Sequence, residues 1–235
     1  MGLLPGEGGA VVLEDLRKIV CWANCQLPRM DLVAWTSGNV CGRDRESGLV
    51  VVKPSGVLFE ELTPERLLVV DLEGKIIEGT LKPSVDTATA LYILKHMPEV
   101  NSVIHTHSRY ATAFAALGQG IPVYLTEHGD AFGIPIPCGR YAKIGGIEVG
   151  QEVVRVLTEI KMQCPAVLMQ NHGVFAVGTS VQGALKAAVV IEDIARTVHL
   201  AMTIGKPIPI PPEEAMRLYT VYHTKYGQEA GGGFK

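Results

Sequence analysis

Charge and aromatic rings are both scarce in this 235-residue chain: Asp, Glu, Lys and Arg make up 19% of it and Phe, Trp and Tyr only 6%. With 47% hydrophobic residues, that scarcity excludes a solvated, disordered polyelectrolyte and leaves ample material for a buried core. A net charge of -3 supplies no field that would draw the molecule onto a polyanion, so nucleic acid is not an expected partner. No stretch reaches the roughly 18 uninterrupted apolar residues of a membrane span; the most apolar one, 166–177, is broken by Gln170, Asn171 and His172. No basic residue precedes Arg17, and Gly6 stands where a myristoylation signal needs Ser or Thr, so neither export nor a lipid anchor is expected. The cysteines are five, an odd number, without a Cys-x-x-Cys pair, which argues against a disulfide framework and for a reducing cytoplasm. Internal repeats and a Gly-x-Gly-x-x-Gly fingerprint are absent too, which removes solenoids and dinucleotide binding of the Rossmann kind.

What remains reads as one domain over 1–235, with Gly-rich tails at 1–10 and 229–235 expected to be mobile. Apolar residues at helical spacing from Leu13 to Leu27 predict an opening helix that stops before Pro28. Short runs rich in Val, Leu and Ile at 32–35, 49–52, 67–72 and 75–77 predict strands, with a hairpin turn at Glu73-Gly74. Helices are expected at 85–96, capped by Ser84, and at 109–117, 147–160, 181–204 and 212–222. Further strands are expected at 102–106, 121–125, 134–136, 166–170 and 174–177. Hairpin-like strands mixed with packing helices predict helices layered on a mixed sheet.

The strongest chemical signal is His105-Thr106-His107. Residues i and i+2 of a strand point to one face, so two imidazoles there can converge on one metal ion, although a solvated polar pair has the same sequence. His172, between Asn171 and Gly173 just past another apolar strand, offers a third imidazole where glycine permits a sharp turn. Asp86, in the first turn of the helix leading to that strand, is either a carboxylate for the same site or simply a helix cap. Lys53-Pro54-Ser55-Gly56 after a strand, with Ser84 opening a helix, would suit an anion as well as they suit turns. His128, beside Asp130, is open between orienting that carboxylate and serving a turn.

Taken together and in order, several segments resemble the class II aldolase and L-ribulose-5-phosphate 4-epimerase family. They are Leu27-Pro28 with Leu32-Val33, Thr36-Ser37-Gly38-Asn39-Val40, Lys53-Pro54-Ser55-Gly56, Glu78-Gly79 with Lys82-Pro83-Ser84-Val85-Asp86-Thr87, His105-Thr106-His107-Ser108, Asn171-His172-Gly173 and Tyr226-Gly227-Gln228, and the resemblance covers nearly everything from Leu13 to Gln228. The resemblance implies a three-layer αβα sandwich around a mixed, largely antiparallel sheet. It implies a divalent metal, zinc before manganese or cobalt, held by His105, His107 and His172 with Asp86. It places a sugar phosphate against Asn39, Lys53, Ser55, Gly56 and Ser84. Asp86, Asp130 and Tyr226 lean toward the epimerase branch, since aldolase relatives usually have glutamate at the first position and lack the second. Val85 stands where epimerases typically carry a second serine, and 216–222 departs from their basic run.

The expected reaction is interconversion of L-ribulose 5-phosphate and D-xylulose 5-phosphate. Direct deprotonation at C4 would leave a carbanion without a sink, so the C3–C4 bond must open, the aldehyde half turn over, and the bond re-form. Such a path needs a proton carrier on each face of the C4 oxygen, roles that the resemblance gives to Asp130 and Tyr226. It also implies a homotetramer in which Tyr226 reaches a neighbouring subunit's site. The alternatives are a lyase like L-fuculose-1-phosphate aldolase, and an adducin-like binding module without catalysis.

Overall fold

In a computed structural model, which describes residues 13–225, strands and helices build three layers around one eight-stranded sheet. Both glycine-rich tails and Tyr226 lie outside the described residues. The helices are α1 (Glu14–Arg29), α2 (Thr87–His96), α3 (Arg109–Ala116), α4 (Thr126–Phe132), α5 (Glu148–Glu159), α6 (Val181–Ile204) and α7 (Pro212–Lys225). The strands are β1 (Asn39–Arg43), β2 (Val50–Val52), β3 (Leu68–Val70), β4 (Ile76–Glu78), β5 (Ser102–Thr106), β6 (Cys138–Gly139), β7 (Ala166–Met169) and β8 (Gly173–Gly178). Their order in the sheet is β4-β3-β2-β1-β5-β8-β7-β6, and every pair is antiparallel except β6 with β7. This is the sandwich and mixed sheet that the resemblance implied.

Alternation along the strands divides the interior into two cores. Val51, Ile104, Leu168, Val174 and Ala176 face a core shared with α1, α3, α4 and α6. Their neighbours Val50, Val52, Val103, Val167, Phe175 and Val177 face the other, shared with α2 and α5. Both faces of the sheet's middle are therefore dry, which explains why strands such as β2, β3, β7 and β8 read as continuous apolar runs, while the edge strand β4 is exposed.

Several boundaries differ from the sequence expectation. Helix α1 runs past Pro28 to Arg29, since proline's fixed φ is itself helical and the helix ends one residue later, so only one backbone bond is forgone. Residues 32–35 form no strand: Leu32 and Val33 are buried, but Trp35 has φ 58° and Ser37 N–H bonds back to the Ala34 carbonyl, so the run packs as turns. Of the strands expected at 121–125 and 134–136 only a single bridge, Ile121 to Ile136, exists, and the chain between them forms α4. Strands β1 and β6 were not anticipated. Gly74, φ 85°, does make the turn between β3 and β4 by donating to the Asp71 carbonyl.

Candidate metal centre

The sheet brings His105 and His107 to its middle, since β5 is paired on one side with β1 and on the other with β8. His172 sits in the short turn joining β7 to β8, entered through Asn171 in the left-handed region at φ 57°. Gly173 follows, and a Cβ there would strike the Thr106 carbonyl oxygen of β5, so no side chain fits where these two strands close on each other. The outcome is convergence: one nitrogen from each of the three rings lies within 4.8 Å of the other two.

The rings are held in a form suited to bind a cation. Nδ1 of His105 lies 3.0 Å from the Val174 carbonyl, so the proton belongs on Nδ1 and the Nε2 lone pair faces the other histidines. That Nε2 is 2.8 Å from Nε2 of His107. Phe175 stacks on the His105 ring at 4.2 Å between centroids, and His105 is fully buried. Burial, reinforced by the two neighbouring imidazoles, pushes its pKa well below the usual histidine value and keeps it neutral. Burial also lowers His107 and His172, with Asp86 opposing it in both cases. Nδ1 of His172 is buried without a hydrogen-bond partner. Neutral, clustered imidazole nitrogens fit a borderline divalent ion.

Asp86 occupies the N-cap position of α2 yet makes no capping bond. Instead its Oδ2 accepts from Asn39 Nδ2 at 2.9 Å, and the same amide nitrogen lies 3.3 Å from Ser84 Oγ. The helix starts at Thr87, later than the sequence suggested, because Ser84 serves this network rather than the helix. Asp86 lies outside the set of mutually converging ligand atoms but lines the same cavity.

That cavity, about 320 Å³, is bounded by Thr36, Ser55, Gly56, Ser84, Val85, Ile144 and the three histidines. Gly56, at φ 71°, turns the 54–57 loop so that its backbone borders the space. The Lys53 ammonium is buried, donates to the Val57 carbonyl at 2.7 Å and lies 4.8 Å from the centre of the Phe59 ring, so it shapes this loop from behind. Burial lowers its pKa.

Asn39, Lys53, Ser55, Gly56, Ser84, Asp86, His105, His107 and His172 thus meet around one space. Asp130 does not join them. It lies on α4, where burial raises its pKa against the pull of Arg217 and His223 from α7. His128 proves to be a fully buried structural histidine, with Nε2 3.0 Å from the Ile134 carbonyl. Ile144 was missed, and no local signal in its Gly-flanked loop marks it.

A family model described as the class II aldolase and adducin N-terminal domain matches residues 18–199. An L-ribulose-5-phosphate 4-epimerase UlaF of Salmonella paratyphi B is 40% identical over 200 residues, 82% of this chain and 88% of its own, and one of Salmonella typhi matches equally. Among solved structures, an L-fuculose 1-phosphate aldolase aligns with a TM-score of 0.83 at 26% identity, covering 92% of this chain and 99% of its own. YgbL of Klebsiella pneumoniae, described as a putative aldolase/epimerase/decarboxylase, shares the fold at a TM-score of 0.75 and 24% identity, over 89% of this chain and 100% of its own.

Proposed function

This chain belongs to the class II aldolase and adducin N-terminal domain family, and from that premise we propose that it is a metal-dependent L-ribulose-5-phosphate 4-epimerase. It would interconvert L-ribulose 5-phosphate and D-xylulose 5-phosphate in cytoplasmic pentose-phosphate metabolism. The observation that carries the reading is the meeting of three neutral imidazoles with a hydroxyl- and amide-lined recess in one cavity. Together with 40% identity to an epimerase, it supports a sugar phosphate as substrate.

His105, His107 and His172 would hold zinc, or manganese or cobalt, with Asp86 beside them. When bound, the cation supplies Lewis-acid stabilisation for the electron pair released as C3–C4 breaks. Asn39 keeps Asp86 turned into the cavity through the 2.9 Å bond, away from the cap position it would otherwise occupy. Ser55, Gly56 and Ser84 receive the phosphate, and Lys53 fixes their loop while adding buried positive charge. Retaining that phosphate keeps the aldehyde half in place while it turns over. Asp130 and Tyr226 would then exchange a proton with the C4 oxygen from opposite faces. Because Asp130 does not line its own chain's cavity, we assign both carriers to a neighbouring subunit in a homotetramer.

One observation favours a second reading, a sugar-phosphate aldolase: a single chain presents the metal donors and the anion recess without Asp130. An adducin-like binding module has less support, since all three imidazoles are kept and aligned. A proton and phosphorus NMR time course of L-ribulose 5-phosphate, with chelator and then added zinc, decides among them. Formation of D-xylulose 5-phosphate alone, lost on chelation and restored by zinc, is the expected result. Accumulation of dihydroxyacetone and glycolaldehyde phosphate would replace the epimerase reading with the lyase, and an unchanged spectrum would refute both for this substrate.

A further inference from the structure

Helix α3 touches both ligand-bearing segments. It begins at Arg109, two residues after His107, and its last turn offers the Ala115 carbonyl to the Asn171 N–H at 3.0 Å, immediately before His172. Gly118, in the turn that closes this helix, leaves just enough room for the Gln170 side chain. The span between His107 and His172, already limited by the pairing of β5 with β8, is therefore also braced by this one short helix. The side chain of its own N-cap, Ser108, does nothing to hold it: the hydroxyl makes no capping bond and is buried without a hydrogen-bond partner. A carboxylate from another helix takes over. Glu192 of α6 accepts from the Tyr110 N–H through Oε1 at 3.0 Å and from the Ala111 N–H through Oε2 at 2.9 Å. Two charge-assisted bonds at the positive end of a helix make a strong, directional clamp.

We propose that Glu192 is a positioning residue of the metal site: by clamping the first turn of α3 it fixes the separation of His107 from the His172 turn. The inference rests on the metal reading of the three histidines. His107 is the ligand most dependent on this support, since it is exposed while His105 is buried.

The test measures zinc affinity by competition with a chromophoric chelator, and the visible absorption of the cobalt-substituted protein, in Glu192→Ala and Glu192→Gln. Loss of a group supporting metal ligands typically weakens binding about 10- to 100-fold, so about 10-fold is expected for Glu192→Ala acting through a helix. Glu192→Gln retains one acceptor oxygen and should fall between it and the unaltered protein, and it carries the test if Glu192→Ala does not fold. The cobalt spectrum should shift in both. Ser180→Ala, which removes a 3.1 Å capping bond from the start of the same α6, should lower thermal stability and leave affinity and spectrum unchanged. Unaltered zinc affinity and cobalt spectrum in both Glu192 variants would overturn the proposal. An unaltered protein that takes up neither metal would instead overturn the metal reading beneath it, and that measurement needs no variant.

Discussion

Lowering the pH from 7 to 5 should cost the metal-free protein about 2 kcal/mol of folding stability through His128 alone. This ring is fully buried in α4, with Nε2 on the Ile134 carbonyl and Nδ1 without a hydrogen-bond partner. Burial pushes its pKa down from 6.5 to about 4. The unfolded chain therefore takes up a proton near 6.5, while the folded one refuses it until about 4. His128's contribution is complete above 6.5, declines as the pH falls through that value, and is gone below about 4. At about 1.4 kcal/mol per pH unit the whole effect is about 3 kcal/mol, of which about 2 is lost by pH 5. Other buried imidazoles, His105 among them, act in the same direction, so the assay must be differential. Urea denaturation with chelator present, at one protein concentration, would compare the natural chain with His128→Gln between pH 7 and 5. The stability advantage of histidine over glutamine should shrink by about 2 kcal/mol across that interval. Parallel curves would show that His128 is already protonated in the fold or is reached by water, and that burial in α4 does not keep it neutral.

His172→Asn should abolish stoichiometric zinc uptake, measured as metal content after dialysis, while the far-ultraviolet dichroism stays unchanged because the ring lies in a turn outside the strands. Asn39→Ala removes the 2.9 Å bond to Asp86, so turnover should fall roughly 10-fold, the equivalent of one charge-assisted hydrogen bond, in steady-state kinetics. Undiminished kcat would show that Asp86 needs no orientation. Asp130→Asn should eliminate epimerisation while zinc content stays at the natural level, since this side chain lies outside the histidine cavity.

Short apolar runs, helical periodicity and turn chemistry made most of the framework readable. Strand β5, helix α6 and the Gly74 turn lie where periodicity and glycine place them, because each depends on its own residues. Helix α4 escaped notice because its seven residues carry little periodicity of their own and are held by packing on α7. Strand β1 was hidden for another reason: Asn39 and Gly42 weaken its strand character, and pairing with both β2 and β5 restores it. His105 and His107 were legible from spacing, since i and i+2 in extended chain share a face, and His172 from the glycine turn that follows an apolar strand. Asp86 was not, because a carboxylate at a helix start looks the same whether it caps the helix or turns away to Asn39. Nor could any local pattern reveal that Glu192, far along the chain, caps α3.

The two halves of the cavity differ in how freely they can vary. Its imidazoles stand at the end of β5 and on the turn between β7 and β8, and inserting one residue into any of these strands would flip side chains into the wrong core. The opposite wall comes from connections, the 54–57 loop, residues 84–86 and the loop bearing Ile144, none of which sets strand register. Mutation can therefore resculpt what the pocket admits while the donors behind it stay put. A lineage built on this chassis would diversify its substrates by editing loops, and would keep one metal chemistry throughout.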